Sequence, residues 1–437
     1  MNIKNLKIKI IISILSIIFL IIVPSSGCKK EMKKYNVVLI VIDTLRSDHL
    51  ASYGYKRETA PFISEFAKSS ILFENVFSAS SWTSPATASI FTSLYPFQHK
   101  VYMGLLAFLM AKKKYPDVKI DRIPEEIETI TEVLKSAGYS TFGISDNLNI
   151  GKKQGFHQGF DKMETYEYKG APAVNKLLFE WKEEIDKSDK YFLYLHYMDP
   201  HAPYHSRKPW YRPQEGMENI TLESYDTEIN YVDQYIRKAY EAFGWDKNTI
   251  VIITSDHGEG LWDHGRMGHG YYLYREEIQV PLIIKFPEGF DPKRIDTNVT
   301  TIDILPTVRD ALGLQDSKTD SGKSLIPLIR GKKDEFEKRY IFSYLWKKVA
   351  KIVEYKATIY KKLHFIKSIE NKKELYNMAI DKKEEKNYFL KAFRTAKQLE
   401  EMFEEFFMNS RKFTKKSITY KMTKEKLEKL KTLGYVE

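Results

Sequence analysis

The stretch Val37-Val38-Leu39-Ile40-Val41-Ile42-Asp43 carries the strongest signal of the fold, because six apolar residues run without interruption and end at a carboxylate. Similar runs follow at 191–197, 250–253 and 280–284. Apolar runs without alternation are typical of strands that are buried on both faces, as in a parallel sheet covered by helices. Helical patterns occupy residues 62–68, 129–137, 224–244 and 302–312 between them. This alternation predicts an α/β fold with a mainly parallel central sheet flanked by helices.

The composition changes after Gly331. A charged segment at 332–339 is followed by short strand-like runs in 340–376 and by a Lys/Glu-rich, helical pattern in 381–437. We therefore predict a catalytic domain at residues 36–331 and a smaller C-terminal α+β subdomain at residues 332–437.

The N-terminus has the pattern of an export signal. Lys4, Lys7 and Lys9 precede an apolar run at 10–23, which is short for a membrane span, and small residues then lead to Cys28. The segment resembles a bacterial lipoprotein signal peptide (1–27), which implies lipidation of Cys28 and a membrane tether at 28–35. A cleaved secretory signal and a retained anchor are the alternatives. All three predict an extracytoplasmic protein, and the lipoprotein predicts one anchored to a membrane in the periplasm or at the cell surface.

Composition narrows the classes of function. Cys28 is the single cysteine, so we expect no intramolecular disulfide, no thiolate zinc site and no catalytic thiol in the body of the protein. The hydrophobic content of 43% indicates an ordered globular chain. The net charge of +11 is spread among acidic residues, which favours a solvated basic surface over a dedicated anionic partner. No nucleic-acid-binding motif is present, so we predict no nucleic-acid partner.

Residues 81–96 predict a buried helix with a hydroxyl at its entrance. Thr83 stands two positions before Pro85, and proline suits the first turn of a helix. The positive end of the helix dipole can stabilise an alkoxide nucleophile there. The alternative is that Thr83 or Ser84 only caps the helix.

Polar residues follow three of the predicted strands. Asp43, Asp199 and Asp256 stand where strands end, and ligand sites in such sheets lie beyond the carboxyl ends of the strands. Asp43, Asp256 and His257, with the Thr83 hydroxyl as a fourth ligand, could hold one divalent ion that activates the hydroxyl. The alternatives are that Asp43 caps a helix and that His257 only stabilises a turn.

The order of several motifs resembles the sulfatase family of the alkaline phosphatase superfamily. The resemblance covers residues 36–437, and the motifs that carry it are 36–54, 83–96 with His99, 196–204, 254–260, 268–270, 302–307, 322–325, 374–377 and 430–436. It implies an alkaline phosphatase/sulfatase-like fold.

The same resemblance implies a role for individual residues. Asp43, Asp256 and His257 take the positions of metal ligands, and Thr83 takes the position of the nucleophile. His201 takes the position of a histidine that contacts the substrate and protonates its leaving oxygen. The resemblance also implies contacts with the substrate for His269 and Asn147. An imidazole and few carboxylates favour manganese or zinc over calcium or magnesium.

Two departures from the sulfatase pattern bear on the chemistry. The family's cysteine or serine, which is converted to formylglycine, is Thr83 here, and its arginine is Thr87. Threonine cannot give that aldehyde, whereas a phosphorylated threonine can be cleaved at phosphorus. We therefore predict a metal-dependent hydrolase or transferase of phosphate mono- or diesters on a glycan or lipid. The alternatives are a sulfatase without formylglycine and an inactive surface binding protein, and the oligomeric state is left open.

Overall fold

The central strand of the protein is the apolar run quoted first. The computed structural model describes residues 34–112, 114–348 and 351–419. β1 (Asn36–Ile42) pairs in parallel with β6 (Tyr191–Tyr197) on one side and with β7 (Thr249–Thr254) on the other. Alternate β1 residues enter two different hydrophobic clusters, with Leu39 in one and Ile40 in the other. Both faces of the strand are therefore buried, which explains why its sequence does not alternate.

The main sheet contains nine described strands. The other six are β2 (Ile71–Phe77), β4 (Ser140–Ser145), β5 (Lys162–Thr165), β8 (Gln279–Lys285), β9 (Lys293–Ile295) and β10 (Val299–Thr300). Their order is β10-β2-β8-β7-β1-β6-β4-β5, with β9 also beside β2. Only β8 runs antiparallel to its neighbours β2 and β7 among these described strands. The prediction of a mainly parallel central sheet is confirmed.

Helices flank this sheet, and the four predicted ones are present. α1 (Pro61–Lys68), α5 (Ile130–Ser136), α8 (Met217–Phe243) and α10 (Ile304–Ala311) match them, although α8 begins earlier than predicted. The other described helices are α2 (Thr83–Thr92), α3 (Pro96–His99), α4 (Leu105–Lys112), α6 (Ala171–Glu180), α7 (Lys182–Asp186), α9 (Arg275–Ile278), α11 (Ile326–Ile329) and α12 (Asp334–Glu337). Short 3-10 helices lie at Ser47–His49, Ala51–Tyr53, Lys152–Gln154, Asp263–Gly265 and Thr301–Asp303.

A second, antiparallel sheet forms the C-terminal subdomain. Its strands, in spatial order, are β11 (Ile341–Lys348), β12 (Ile352–Tyr360), β13 (Leu363–Ser368) and β14 (Lys373–Asn377). α13 (Phe393–Asn409) packs against them. The predicted α+β character is confirmed, but the expectation of helix throughout 381–437 is wrong for the described part. Residues 381–392 form turns, and β15 (Lys416–Ile418) pairs with β3 (Ile120–Arg122).

The N-terminal predictions fall outside this description. The signal segment 1–27 and Cys28 are not among the described residues. Within the described residues, every helix is too short or too polar to cross a bilayer.

Candidate active site

The carboxyl edge of the central strands gathers a cluster of buried acids and imidazoles. Asp43 follows β1 and Asp256 follows β7, and because these strands are parallel neighbours their ends meet. Asp43, His196 and Asp256 each offer a ligand atom within 4.8 Å of the others. His257 Nε2 lies 3.6 Å from a carboxylate oxygen of each acid. Two of the three predicted strand-end acids therefore meet at this edge.

Asp199 does not join the cluster, contrary to expectation. Its carboxylate accepts a hydrogen bond from the backbone N–H of Ala171 at the start of α6. His196 takes part instead, since it lies opposite Val41 in the β1–β6 pairing, close to the end of both strands. The sequence did contain a signal for His196, because its imidazole interrupts the apolar run 191–197. A polar group buried in a central strand is destabilising unless it has a partner.

Thr83 lies beside this cluster and does not cap its helix. α2 begins at Thr83, its N-cap residue is Trp82, and no side chain caps it. Thr83 Oγ1 lies 3.3 Å from His257 Nε2. Asn147 Nδ2 donates to Thr83 Oγ1 at 3.4 Å and to Asp43 Oδ2 at 2.7 Å. Asn147 thus connects the candidate nucleophile with a candidate metal ligand.

The hydrogen bonds of His257 indicate its tautomer. His257 Nδ1 lies 2.9 Å from the carbonyl oxygen of Gly258, which can only accept a hydrogen bond. We therefore assign a proton to Nδ1, and in the neutral imidazole the lone pair of Nε2 faces Thr83 and the two acids. That lone pair can accept the Thr83 proton or bind a cation.

The pKa values of the two acids are shifted in opposite directions. Burial, together with the charge of Asp256, raises the pKa of Asp43 to about 6, against the opposing effect of His257 and His196. Burial would also raise the pKa of Asp256, but His257 and His196 lower it to about 2. Two buried carboxylates that face each other repel, and a bound cation would neutralise that repulsion.

Unpaired atoms in the cluster also fit a cation. Asp43 Oδ1 and both ring nitrogens of His196 are buried without a hydrogen-bond partner among the described residues. Buried polar atoms nearly always have partners, so atoms of this kind at one point call for an explanation. A divalent ion held by Asp43, Asp256 and His196 would satisfy the carboxylate oxygen and one of the two ring nitrogens, with the carboxylate and imidazole ligands that such ions take.

Two of the three substrate-contact candidates, His201 and His269, form a row of rings with His257. The ring of His269 lies 4.4 Å from that of His257 and 5.0 Å from that of His201. Glu259, which the sequence showed only as part of a motif, lies 3.3 Å from His269 Nδ1. Burial would raise the pKa of Glu259, but His269 and His201 bring it down to about 2. Glu259 therefore stays ionised and orients His269.

Other polar residues near the cluster stabilise the local structure. Thr87, at the family's arginine position, points its Oγ1 to within 3.5 Å of Asp256 Oδ2. His99 is buried against Ser89, and burial lowers its pKa to about 3, so it is neutral. Arg46 forms an ion pair with Asp263 at 2.7 Å.

Comparison with protein-family models shows the family to which the chain belongs. The family model described as sulfatase matches residues 35–314. This chain belongs to the sulfatase family. The model described as N-sulphoglucosamine sulphohydrolase, C-terminal, matches residues 263–412, which include the antiparallel sheet. The predicted family is thus confirmed.

Curated relatives of this sulfatase-family chain are distant in sequence. A Delta 4,5-hexuronate-2-O-sulfatase of Bacteroides thetaiotaomicron is 22% identical, with 82% of this chain and 85% of that protein aligned. The low-salt glycan biosynthesis sulfotransferase Agl7 of Haloferax volcanii is 23% identical, with 68% of this chain and 65% of that protein aligned.

Solved structures share the fold. A 2-O GAG sulfatase superposes with a TM-score of 0.70 at 18% identity, covering 86% of this chain and 93% of its own. A protein solved in complex with its substrate D-glucosamine-2-N,6-O-disulfate superposes with a TM-score of 0.69 at 17% identity, covering 85% and 97%. These similarities show the arrangement of a main sheet and a C-terminal sheet.

Proposed function

We propose that this protein cleaves sulfate esters of a sugar, with Thr83 Oγ1 as the attacking atom. The observation that carries the proposal is the position of Thr83 Oγ1 at 3.3 Å from His257 Nε2, beside two buried acids that favour a cation. The four relatives and structures compared above are all named for sulfate chemistry. They give no support to our sequence-based preference for phosphate esters, and they favour the sulfatase alternative.

The residues can divide the work of the first step. A divalent cation, when bound by Asp43, Asp256 and His196, supplies positive charge that neutralises sulfate oxygens. Thr83 Oγ1 forms a bond to sulfur while the bond from sulfur to the ester oxygen breaks. His257 Nε2 takes the hydroxyl proton, since it is within hydrogen-bond distance and carries a lone pair. This assignment gives His257 the role of a base in place of the ligand role that the family resemblance implies.

The other two imidazoles of the row serve the leaving oxygen and the sulfate group. His201 can donate a proton to the departing sugar oxygen when its ring is protonated. Burial lowers its pKa, so the protonated form is a stronger acid but is less populated at neutral pH. His269, held by the ionised Glu259, can donate an N–H to a sulfate oxygen. Asn147 restrains the threonine hydroxyl through its hydrogen bonds to Thr83 and Asp43.

The second step releases the sulfated threonine. Water gives hydrolysis, and a hydroxyl of a second sugar gives transfer. The aldehyde hydrate of formylglycine expels sulfate by elimination, which threonine cannot do, so here the acceptor must attack sulfur. The sulfotransferase among the relatives supports transfer as one outcome of this route. We propose that the reaction takes place outside the cytoplasm, with the protein attached to a membrane through a lipid on Cys28.

The test is a parallel assay of an aryl sulfate, an aryl phosphate and an aryl phosphodiester with manganese or zinc added. We expect turnover of the sulfate to exceed that of both phosphates, and Thr83→Ala to lower it by at least about 100-fold, the scale of a lost nucleophile or base. Ser84→Ala is the matched control, because Ser84 Oγ is buried next to Thr83 and has no described hydrogen-bond partner. Faster turnover of either phosphate, or full sulfate turnover by Thr83→Ala, would refute the proposal.

A further inference from the structure

A lysine from the C-terminal sheet reaches the residues that flank the active site. Lys347 lies near the end of β11, and its Nζ is 5.2 Å from the ring centre of Trp82 and 5.4 Å from that of Tyr271. A Cβ added to Gly270 would lie 3.2 Å from the same Nζ. Trp82 immediately precedes Thr83, and Gly270 immediately follows His269. The ammonium group is therefore next to both segments that bear the reacting groups.

The charge of Lys347 has no anionic partner within the described part of the chain. No described carboxylate lies within ion-pair distance of its Nζ. Glu277 acts on it from farther away, and one oxygen of that carboxylate already accepts hydrogen bonds from the N–H groups of Gly270 and Tyr271. Burial lowers the pKa of Lys347 to about 8, so it remains mainly protonated at pH 7.

A second donor at this place is also unsatisfied. The indole of Trp82 is 4% exposed, and its Nε1 has no described hydrogen-bond partner. A partly buried cation and a buried N–H donor without acceptors are both destabilising unless an acceptor arrives. The ammonium lies 5.2 Å from the centre of the ring that carries this N–H, so the two donors belong to one place in the structure.

The surface next to Lys347 is suited to a sugar. Tyr271 is 38% exposed, and the guanidinium of Arg266 lies 4.8 Å from its ring centre. Aromatic faces combine a large apolar area with attraction for cations, and arginine and lysine bind acidic groups. We call Trp82, Arg266, Tyr271 and Lys347 the Lys347 shelf.

We propose that the Lys347 shelf binds a second acidic group of the substrate, next to the sulfate ester that Thr83 attacks. The inference rests on the proposed function and specifies its substrate as a sugar with at least two acidic groups. The second group is a carboxylate or another sulfate, because either supplies the negative charge that the ammonium of Lys347 lacks. A purely structural role as a cation–π contact would leave the ammonium without an anionic partner.

Binding to the full-length Thr83→Ala protein tests the shelf apart from turnover. Calorimetry compares three disaccharides of one backbone, which carry one sulfate, one sulfate and one uronate, or two sulfates. We expect at least one doubly acidic sugar to bind about tenfold more tightly than the singly sulfated one, and their comparison separates the two sources of charge. A second Lys347→Met substitution should reduce the advantage to less than about twofold. Lys347→Arg should keep most of it.

Lys348→Met is the matched control. Lys348 is the next residue of the same strand, but its Nζ lies 4.1 Å from the ring centre of Tyr115, so the substitution should preserve the advantage. Equal affinity for all three sugars, or an advantage that survives Lys347→Met in a protein with an unchanged melting temperature, would overturn the shelf. Wild-type protein that shows the binding advantage but no sulfate turnover would instead refute the proposed function.

Discussion

Replacing Asp43 by asparagine should stabilise the metal-free protein and abolish its response to divalent ions. Asparagine has nearly the same shape and can still accept the 2.7 Å hydrogen bond from Asn147 Nδ2. The substitution removes one of two buried carboxylates whose nearest charged neighbours include each other. Its effect therefore isolates the electrostatic cost of the two facing carboxylates in the metal-free protein.

The magnitude follows from the pKa of Asp43, which is raised from 3.8 to about 6. At about 1.4 kcal/mol for each pH unit, ionising Asp43 in the folded state costs about 3 kcal/mol. Because the pKa is raised in the folded state, this cost is absent at pH values below 3.8, the pKa of the unfolded chain, and is complete at pH values above about 6. With an unfolding entropy of about 2.1 cal/mol/K per residue, a chain of this length should melt about 3–4 °C higher at pH 7.5.

The assay is thermal unfolding of both proteins with chelator at pH 4.5 and pH 7.5, then with manganese or zinc. We expect the variant to melt above wild type at pH 7.5 and close to it at pH 4.5. Added ion should raise the melting temperature of wild type only, because a ligand that binds the folded state stabilises it. A variant that melts lower at pH 7.5 without metal, or that keeps the full ion response, would refute the reasoning.

The other predictions concern the proposed base His257, the ion pair of His264 with Glu276, and the proposed lipid anchor at Cys28. His257→Gln should lower sulfate turnover about 100-fold yet keep the ion-induced rise in melting temperature; loss of that rise would return His257 to the ligand role. Burial opposes charge on His264, but its hydrogen bond to Glu276 raises its pKa to about 9, so its stabilisation is complete below 6.5 and lost as the pH rises through 9. His264→Gln should therefore lower the free energy of unfolding, measured in urea, by about 1 kcal/mol more at pH 6 than at pH 10. This value is reduced to allow for solvent screening, and an equal loss at both pH values would contradict the prediction. Cys28→Ser should move the protein from the membrane to the soluble fraction, and unchanged membrane attachment would exclude a lipid on Cys28.

The main sheet could be predicted where its strands are continuous apolar runs. β1, β6, β7 and β8 are of this kind, and both of their faces are covered. β2 was missed because Glu74 and Asn75 interrupt it at a shift of register with β8. β4 was missed because its sequence Ser-Thr-Phe-Gly-Ile-Ser mixes polar and apolar residues, although five of its six residues are buried.

The candidate site was predictable only in part. The sequence shows which acids follow a strand, but it does not show which other side chains each acid contacts. Asp43 and Asp256 meet as their positions suggested, whereas Asp199 turns to the N–H of Ala171. His196 was hidden in an apolar run, and its use depends on the pairing of β6 with β1. Glu259 gained a role only through the fold that places its carboxylate next to His269. The catalytic roles of Thr83, His201 and His269 stay predictions.

The measurement that tests the central claim most directly is the mass of the Thr83 peptide after rapid quenching with an aryl sulfate labelled with a heavy sulfur isotope. If Thr83 Oγ1 receives the sulfuryl group, this peptide from wild type and from Ser84→Ala should carry the labelled group, and the Thr83→Ala peptide should not. Steady turnover of the aryl sulfate with an unmodified Thr83 peptide at every quench time, or with the label on another residue, would contradict the account.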